Sequence, residues 1–336
     1  MSDPPVIEGN DISPKKSIPN HRKFKTMQDS NISIGVDIGG THITCAAVNI
    51  QDGSLMEETR SRATYHHESS AEVILQSWVK ALNHTLAKVN KSQLAGIGFA
   101  IPGPFDYRNG VSRMEHKFKN LFGLHLPAAL NPLLDTRQDL TMRFLNDASS
   151  FAVGEAWIGE GHGFNKVVVI TLGTGFGSAF IEDEVPVVSG TEVPKEGCLW
   201  HLPFRDGIAD DYFSTRWFVG EYKKQTGVTI KGVKELIDKT DTDEIARNLF
   251  LQFGQNLAAC LAVPLQKFGA EVLIIGGNIA HALPMFKKEL EGGLENAAVS
   301  VKIVVSRHME NAALIGSARL MESGFWARVS KHLPNI

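Results

Sequence analysis

Ile34-Gly35-Val36-Asp37-Ile38-Gly39-Gly40-Thr41-His42-Ile43-Thr44 is an apolar run that ends in an acid, two glycines and a threonine before apolar residues resume. Short apolar runs bounded by turn signals read as buried strands, and paired glycines let a backbone approach an anion that a Cβ would hold away. At such a turn Asp37 can hold a magnesium ion directly or through water, while Thr41 offers a hydroxyl and an N–H to a phosphate. The plain alternative is a β-hairpin in which Gly39-Gly40 only makes a tight turn. The rest of the chain shifts the balance.

With 336 residues, 43% of them hydrophobic, there is material for two cores and a cleft between them. The 34 basic and 37 acidic residues leave a formal charge of −3, so the whole chain gives no electrostatic reason to expect nucleic acid or an anionic membrane as partner. No apolar run reaches the roughly 18 residues that span a bilayer. Cys45, Cys198 and Cys260 are few and far apart, which argues against a disulfide framework and fits a reducing compartment; the cytoplasm is the expected location. Residues 1–30 carry four prolines and short basic pieces and read as a flexible polar tail, without a signal-peptide core and without the pattern of a helix-turn-helix.

From 32 to 65 the pattern is three strands, with Asp52-Gly53 marking the second turn. Ser69 and Glu72 spell a capping box before Ile74, Trp78, Leu82, Leu86 and Val89 at helical spacing. Leu94–Ile101 reads as a buried strand that Pro102-Gly103-Pro104 must end. Next, Met142 to Asn146 is a short strand running into Asp147 and a helical pattern. Asn and Asp there are good N-caps and nothing more, unless the strand end faces a crevice, where open α/β sheets place ligand chemistry and a carboxylate can act as general base.

Lys166–Thr171 is a further strand, and Leu172-Gly173-Thr174-Gly175-Phe176-Gly177-Ser178 follows it as a second Gly-rich turn between strands. Gly39 and Gly173 lie 134 residues apart, a spacing that suggests two related domains rather than a small-repeat array. Two such turns facing each other can clamp a polyphosphate. Asp241 with Glu244 opens a helix that Gly269 can end. Then Glu271–Ile275 delivers Gly276-Gly277-Asn278 to a helix start, where an anion or nucleotide can meet free N–H groups. The domains expected are 31–143 and 144–310, with the small-residue helix in 311–330 completing the first.

The turn at 37–41, Gly98-Phe99-Ala100-Ile101-Pro102-Gly103-Pro104, the Asn146-Asp147-Ala148 corner, the stretch 171–180 and the turn 274–280 occur in the order seen in ROK-family sugar kinases, which the chain resembles from about 32 to 322. The resemblance implies an α/β fold of the actin-like ATPase (ribonuclease H-like) kind, two domains around a cleft, ATP and magnesium as cofactors, a hexose or N-acylated hexosamine as substrate, and a homodimer. Carried over, Asp37, Gly39, Gly40 and Thr41 resemble the first phosphate and metal turn, Thr174 and Gly175 the second phosphate turn, Gly276, Gly277 and Asn278 the adenosine turn, and Asp147 the catalytic base.

The sugar side departs from the family pattern. Asn120 and Asn146 resemble sugar-binding asparagines, and His201 and Asp210 fall on sugar-binding positions. Cys198, however, stands where the family has glutamate and Trp200 where it has glycine. Either the substrate lacks the glutamate's contact or Glu192 or Glu196 supplies it. A structural zinc site needs about four ligands; Ile208 occupies one of its cysteine positions and no other cysteine is near, so no structural zinc is expected. Leu199, Trp200, Leu202, Phe204, Tyr212, Phe213 and Trp217 are expected to hold that loop instead, most of the aromatics as core, with room for one of them to stack on the sugar's apolar face. The competing reading is a non-catalytic sugar-sensing or transcriptional regulator on the same fold.

Overall fold

The computed structural model describes residues 1–2 and 30–334; the expected N-terminal tail therefore lies almost wholly outside the described residues. Two five-stranded sheets carry the molecule. The first is built from β1 (Ile32–Ile38), β2 (His42–Asn49), β3 (Leu55–Thr64), β4 (Leu94–Ile101) and β5 (Met142–Asn146), in the order β3-β2-β1-β4-β5. The second comprises β6 (Lys166–Leu172), β7 (Phe176–Glu182), β8 (Val185–Pro186), β9 (Val272–Gly276) and β10 (Lys302–Val305), in the order β8-β7-β6-β9-β10. In each sheet the first three strands form an antiparallel meander and the last two join in parallel. The same order and polarity occur twice, which is the duplication that the spacing of the two Gly-rich turns suggests.

Helices connect the halves crosswise. α1 (Ala71–Leu86) covers one face of the first sheet, burying Ile74, Trp78 and Leu82. α2 (Asp147–Ile158) leaves β5 of the first sheet and packs on the second; α5 (Glu310–Arg319) leaves β10 of the second and packs on the first. α2 and α5 also pack on each other, so the two middle helices belong to both halves. The far face of the second sheet is covered by α3 (Glu244–Phe268) and α4 (Leu283–Asn296).

β6 shows why its run is continuously apolar. Val167 and Val169 join the core shared with the first sheet, while Val168, Ile170 and Leu172 join the core under α3 and α4. A strand buried on both faces has no polar side to alternate with. In the first sheet, Gly35 of β1 and Gly98 of β4 are register partners. A Cβ on Gly35 would stand 1.9 Å from the Leu314 carbonyl oxygen, and one on Gly98 would stand 1.7 Å from that of Ser317. These two glycines let α5 lie backbone-to-backbone on the sheet, and Ser317 Oγ accepts from Val36 N at 3.1 Å.

Several boundaries differ from those read from sequence. β5 pairs with β4 from Met142 through Asn146, so a domain break after 143 would cut a strand, and the first sheet ends at Asn146. α1 is capped by Ser70, whose Oγ accepts from Val73 N, not by Ser69. α3 is capped by Asp243, whose carboxylate accepts from Ile245 N and Ala246 N, not by Asp241. In both cases the cap is the residue directly before the first helical one, where its oxygen can reach the free N–H groups. The helix expected over 311–330 is two helices, Glu310–Arg319 and Ser323–Val329. Among the described residues no helix is long and apolar enough to cross a membrane.

Candidate active site

The first Gly-rich turn joins β1 to β2. Gly39 N donates to His42 O at 2.9 Å, and Tyr65 N donates to Thr41 O at 3.0 Å. The Tyr65 hydroxyl donates to Gly39 O at 2.6 Å, with His42 O 3.0 Å away. Its ring packs against Trp78 and Phe118, so the turn is tied to the core under α1. Nothing in the local sequence pattern singles out Tyr65. Thr41 is exposed, and no atom lies within 4 Å of where a Gly40 Cβ would be. The turn therefore presents open backbone, as a phosphate cradle requires.

Gly173, the counterpart of Gly39 in the second sheet, also faces open space. Gly173 N donates to Gly175 O, and Gly173 O accepts from both Thr215 N and Thr215 Oγ1, at 2.8 and 2.9 Å. Arg216 Nη1 donates to the exposed Thr174's carbonyl at 2.8 Å. Asp210 completes this brace: Oδ1 accepts from Phe176 N at 2.7 Å and Oδ2 pairs with Arg216 at 2.5 Å. The structure thus places Asp210 on the second turn, with both carboxylate oxygens engaged by protein groups. Thr215 and Arg216 were not singled out from the sequence, because their part is played through backbone carbonyls 42 residues upstream.

Between the turns stands a pair of acids. Asp147 is the first residue of α2, half-buried, with Oδ1 accepting from its neighbour Ala148 N at 2.9 Å. Burial raises its pKa, against the pull of the Ala148 N–H and the Lys117 ammonium. Asp37, at the end of β1, is pushed from 3.8 to about 7 by burial and by the charges of Asp147 and Glu310, with Arg62 opposing. Glu310 heads α5, so both middle helices bring a carboxylate toward β1. Burial and Arg62 hold His42 below its ordinary value, and its Nδ1 lies 3.1 Å from Thr41 Oγ1. Asn146 caps α2 through Oδ1 on Ser149 N at 3.2 Å, and its Nδ2 donates to Tyr107 Oη at 3.4 Å.

Burial raises both carboxylates, and at Asp37 the charges of Asp147 and Glu310 add to it, so this corner is short of positive charge. Among the described residues no group of three His, Cys, Asp or Glu side chains can hold a metal ion unaided. One or two carboxylates beside an open phosphate cradle fit magnesium, which keeps waters and arrives with a polyphosphate rather than filling an all-protein cage.

The third turn follows β9. Gly277 has φ 80°, and a Cβ there would stand 2.4 Å from Leu172 O; at Gly276 it would meet the Phe151 ring at the same distance. These glycines are required by the protein's own packing, which seats the turn against the end of β6. Asn278 is exposed at the start of the 3-10 segment Asn278–Ala282 and faces outward.

On the sugar side, Asn120 is exposed and its Nδ2 donates to Glu68 O and Ser69 O at 3.0 and 2.9 Å, pinning the loop before α1. Of the two acids near Cys198 in sequence, Glu192 pairs with Lys166 at 3.3 Å. Glu196 lies by the site, at φ 59°, and its charge reaches both Cys198 and Tyr107. His201 is half-buried, its ring edge-on to Trp200 with centroids 5.3 Å apart. The loop is held by Leu199 and Phe213, both fully buried, by Trp217, Phe204 and Tyr212, and by Arg205 donating to Asn256 of α3 at 2.5 Å. Trp200 does not take part in that packing. It is 48% exposed, and is the one aromatic of the set that does not hold the loop.

Residues 33–323 match the ROK family, and the chain belongs to it. It is 25% identical over 326 residues to a glucokinase of Thermotoga maritima, covering 86% of this chain and 96% of the relative. It is 25% identical over 314 residues to an N-acetyl-D-glucosamine kinase of Pectobacterium carotovorum, covering 85% and 97%. Among solved structures, a ROK family glucokinase from Streptomyces griseus in complex with glucose and AMPPNP superposes with a TM-score of 0.69 at 22% identity, over 86% of this chain and 98% of the other. The fold is the two-domain actin-like ATPase fold expected from the sequence.

Proposed function

We propose that this ROK-family chain is an ATP-dependent kinase that phosphorylates the 6-hydroxyl of a hexose or an N-acylated hexosamine, with Asp147 as general base. The observation that carries the reading is the pairing of two open Gly-rich turns, at equivalent ends of duplicated sheets, with raised carboxylates at Asp37 and Asp147. The names of the matched relatives support the substrate class.

In this reading Asp147 accepts the hydroxyl proton as the sugar oxygen bonds to the γ-phosphorus and the bond from phosphorus to ADP's oxygen breaks. Its raised pKa brings it nearer the working pH than an ordinary aspartate, which improves it as a base. Its seat at the head of α2, with Asn146 fixed by Ser149 N–H, orients the hydroxyl before transfer. Backbone N–H groups of the turns at 39–41 and 173–175 bind phosphoryl oxygens, and Asn278 lies where an adenosine would pass. Magnesium, held at Asp37, would supply charge neutralisation on those oxygens. Closure of the two halves around the bound sugar would keep water from the γ-phosphate. The same reading makes the enzyme a cytoplasmic homodimer.

The test is ATP consumption across hexoses and N-acylated hexosamines, run beside Asp147→Asn. Sugar-dependent turnover should fall about 10²–10⁴-fold in the variant while ATP binding persists. Absence of any sugar stimulation above the variant's rate sinks the kinase reading and leaves the sugar-sensing alternative.

A further inference from the structure

We propose that His42 is a positioning residue of the first phosphate turn: its ring Nδ1–H donates to Thr41 Oγ1 and so commits the Thr41 hydroxyl proton to a phosphate oxygen of the bound nucleotide. The proposal rests on the nucleotide half of the kinase reading above and goes further by giving a part to the histidine that follows the turn.

The first observation is where the ring lies. His42 opens β2, and its carbonyl closes the turn by accepting from Gly39 N at 2.9 Å, with the Tyr65 hydroxyl 3.0 Å away. Its side chain folds back over the same turn. Nδ1 is 3.1 Å from Thr41 Oγ1, and Cε1 and Nε2 stand 3.4 and 3.5 Å from where a Gly39 Cβ would be. The ring is half-buried, whereas Thr41 is exposed. An exposed threonine on an open turn is otherwise free to change rotamer, so the imidazole is what holds its hydroxyl in one place.

The second observation is what the turn leaves for an anion. The Gly39 and Thr41 carbonyls are tied to protein donors, the first by the Tyr65 hydroxyl at 2.6 Å and the second by Tyr65 N at 3.0 Å. Among the described residues the Gly40 and Thr41 N–H groups have no acceptor. The turn thus offers donors, and the Thr41 hydroxyl can either join them or oppose them. With Nδ1 as acceptor, the hydroxyl proton goes to the ring and lone pairs face the phosphate. With Nδ1 as donor, the ring satisfies the hydroxyl oxygen and leaves its proton for a phosphoryl oxygen. A bound phosphate selects the second arrangement, because it gains one charge-assisted hydrogen bond. Burial and Arg62 favour the neutral ring against the pull of Glu310, and a neutral ring serves by carrying its one proton on Nδ1.

The experiment is calorimetric titration of the full chain with magnesium and a non-hydrolysable ATP analogue. It compares the wild type, Thr41→Val, His42→Phe, His42→Asn and the double variant Thr41→Val/His42→Phe. Phenylalanine fills the place of the ring without its nitrogens, and asparagine can set an amide N–H where Nδ1 stands. We expect Thr41→Val to weaken binding about tenfold or more, the worth of one hydrogen bond to a charged group, and His42→Phe to weaken it about three- to tenfold. His42→Asn should stay within about twofold of the wild type. The double variant should bind no more weakly than Thr41→Val, because a residue that acts through Thr41 then has nothing to act on. Additive losses overturn the proposal, as do an unchanged affinity in His42→Phe and a loss in His42→Asn equal to that in His42→Phe. If His42→Phe does not fold, His42→Ala takes its place in the cycle with the same expected values. No binding of the analogue by the wild type also overturns the proposal. Nucleotide binding without sugar-dependent turnover defeats the kinase reading alone, and the measured affinities still decide for His42.

Discussion

Asp37 should make the nucleotide-free protein less stable at alkaline pH than it would be with a neutral residue in its place. Its pKa rises from 3.8 to about 7 on folding, because β1 buries it and because Asp147 and Glu310 stand near. A raised carboxylate stabilises the fold only while protonated. Its contribution is fully present below 3.8, declines as pH rises toward about 7, and above that becomes a constant cost. At about 1.4 kcal/mol per pH unit the full cost is about 4 kcal/mol, and solvent reaching the half-buried group lowers it to about 2–4 kcal/mol. Asp37→Asn removes it. Urea unfolding of the wild type and the variant at pH 5, 7 and 8.5, without nucleotide or metal, should show the variant more stable by about 2–4 kcal/mol at pH 8.5, with the gap shrinking steadily at lower pH. A variant no more stable than wild type at pH 8.5, or a gap independent of pH, refutes the reasoning. The variant should also lose magnesium–ATP turnover, since its neutral amide cannot replace the carboxylate as a metal ligand.

Gly98→Ala places a Cβ against the Ser317 carbonyl at a distance no packing tolerates. Lifting α5 from the sheet should cost about 3 kcal/mol or more, read as a lowered midpoint in thermal or urea unfolding. Asp210→Ala separates two readings of that residue: as brace of the second turn its loss should raise KM for ATP about tenfold, the worth of one charged hydrogen bond, with KM for sugar little changed. The opposite pattern would return Asp210 to the sugar-binding role its sequence position suggests.

The strands were readable because each is an apolar run closed by glycine, proline or an acid, and their two Gly-rich turns carried the duplication. Burial on both faces made β6 plain from Val167 to Leu172. Features that depend on partners far along the chain were not readable. Gly35 and Gly98 look like ordinary strand glycines until α5, more than 200 residues later, is laid across them. Tyr65 anchors the first turn through its hydroxyl, and no periodicity reports a hydroxyl's aim. Asp210 was visible as an acid but its brace role was not, since Phe176 and Arg216 reach it only in the folded loop. That one ring of the aromatic cluster could turn outward was readable, but which one was not, because composition cannot tell which ring the backbone of the folded loop exposes; it is Trp200.

The crosswise exchange of α2 and α5 has a consequence for synthesis. The first sheet is complete in sequence at Asn146, yet the helix that closes its inner face ends at Arg319. At about 5–20 residues per second, a ribosome leaves that face without its cover for roughly 10–30 s. The glycine-lined strands waiting there are sticky to other chains and to chaperones alike. Slowing translation beyond residue 146 should therefore reduce soluble yield through aggregation of nascent chains, even though every folded copy that results is identical.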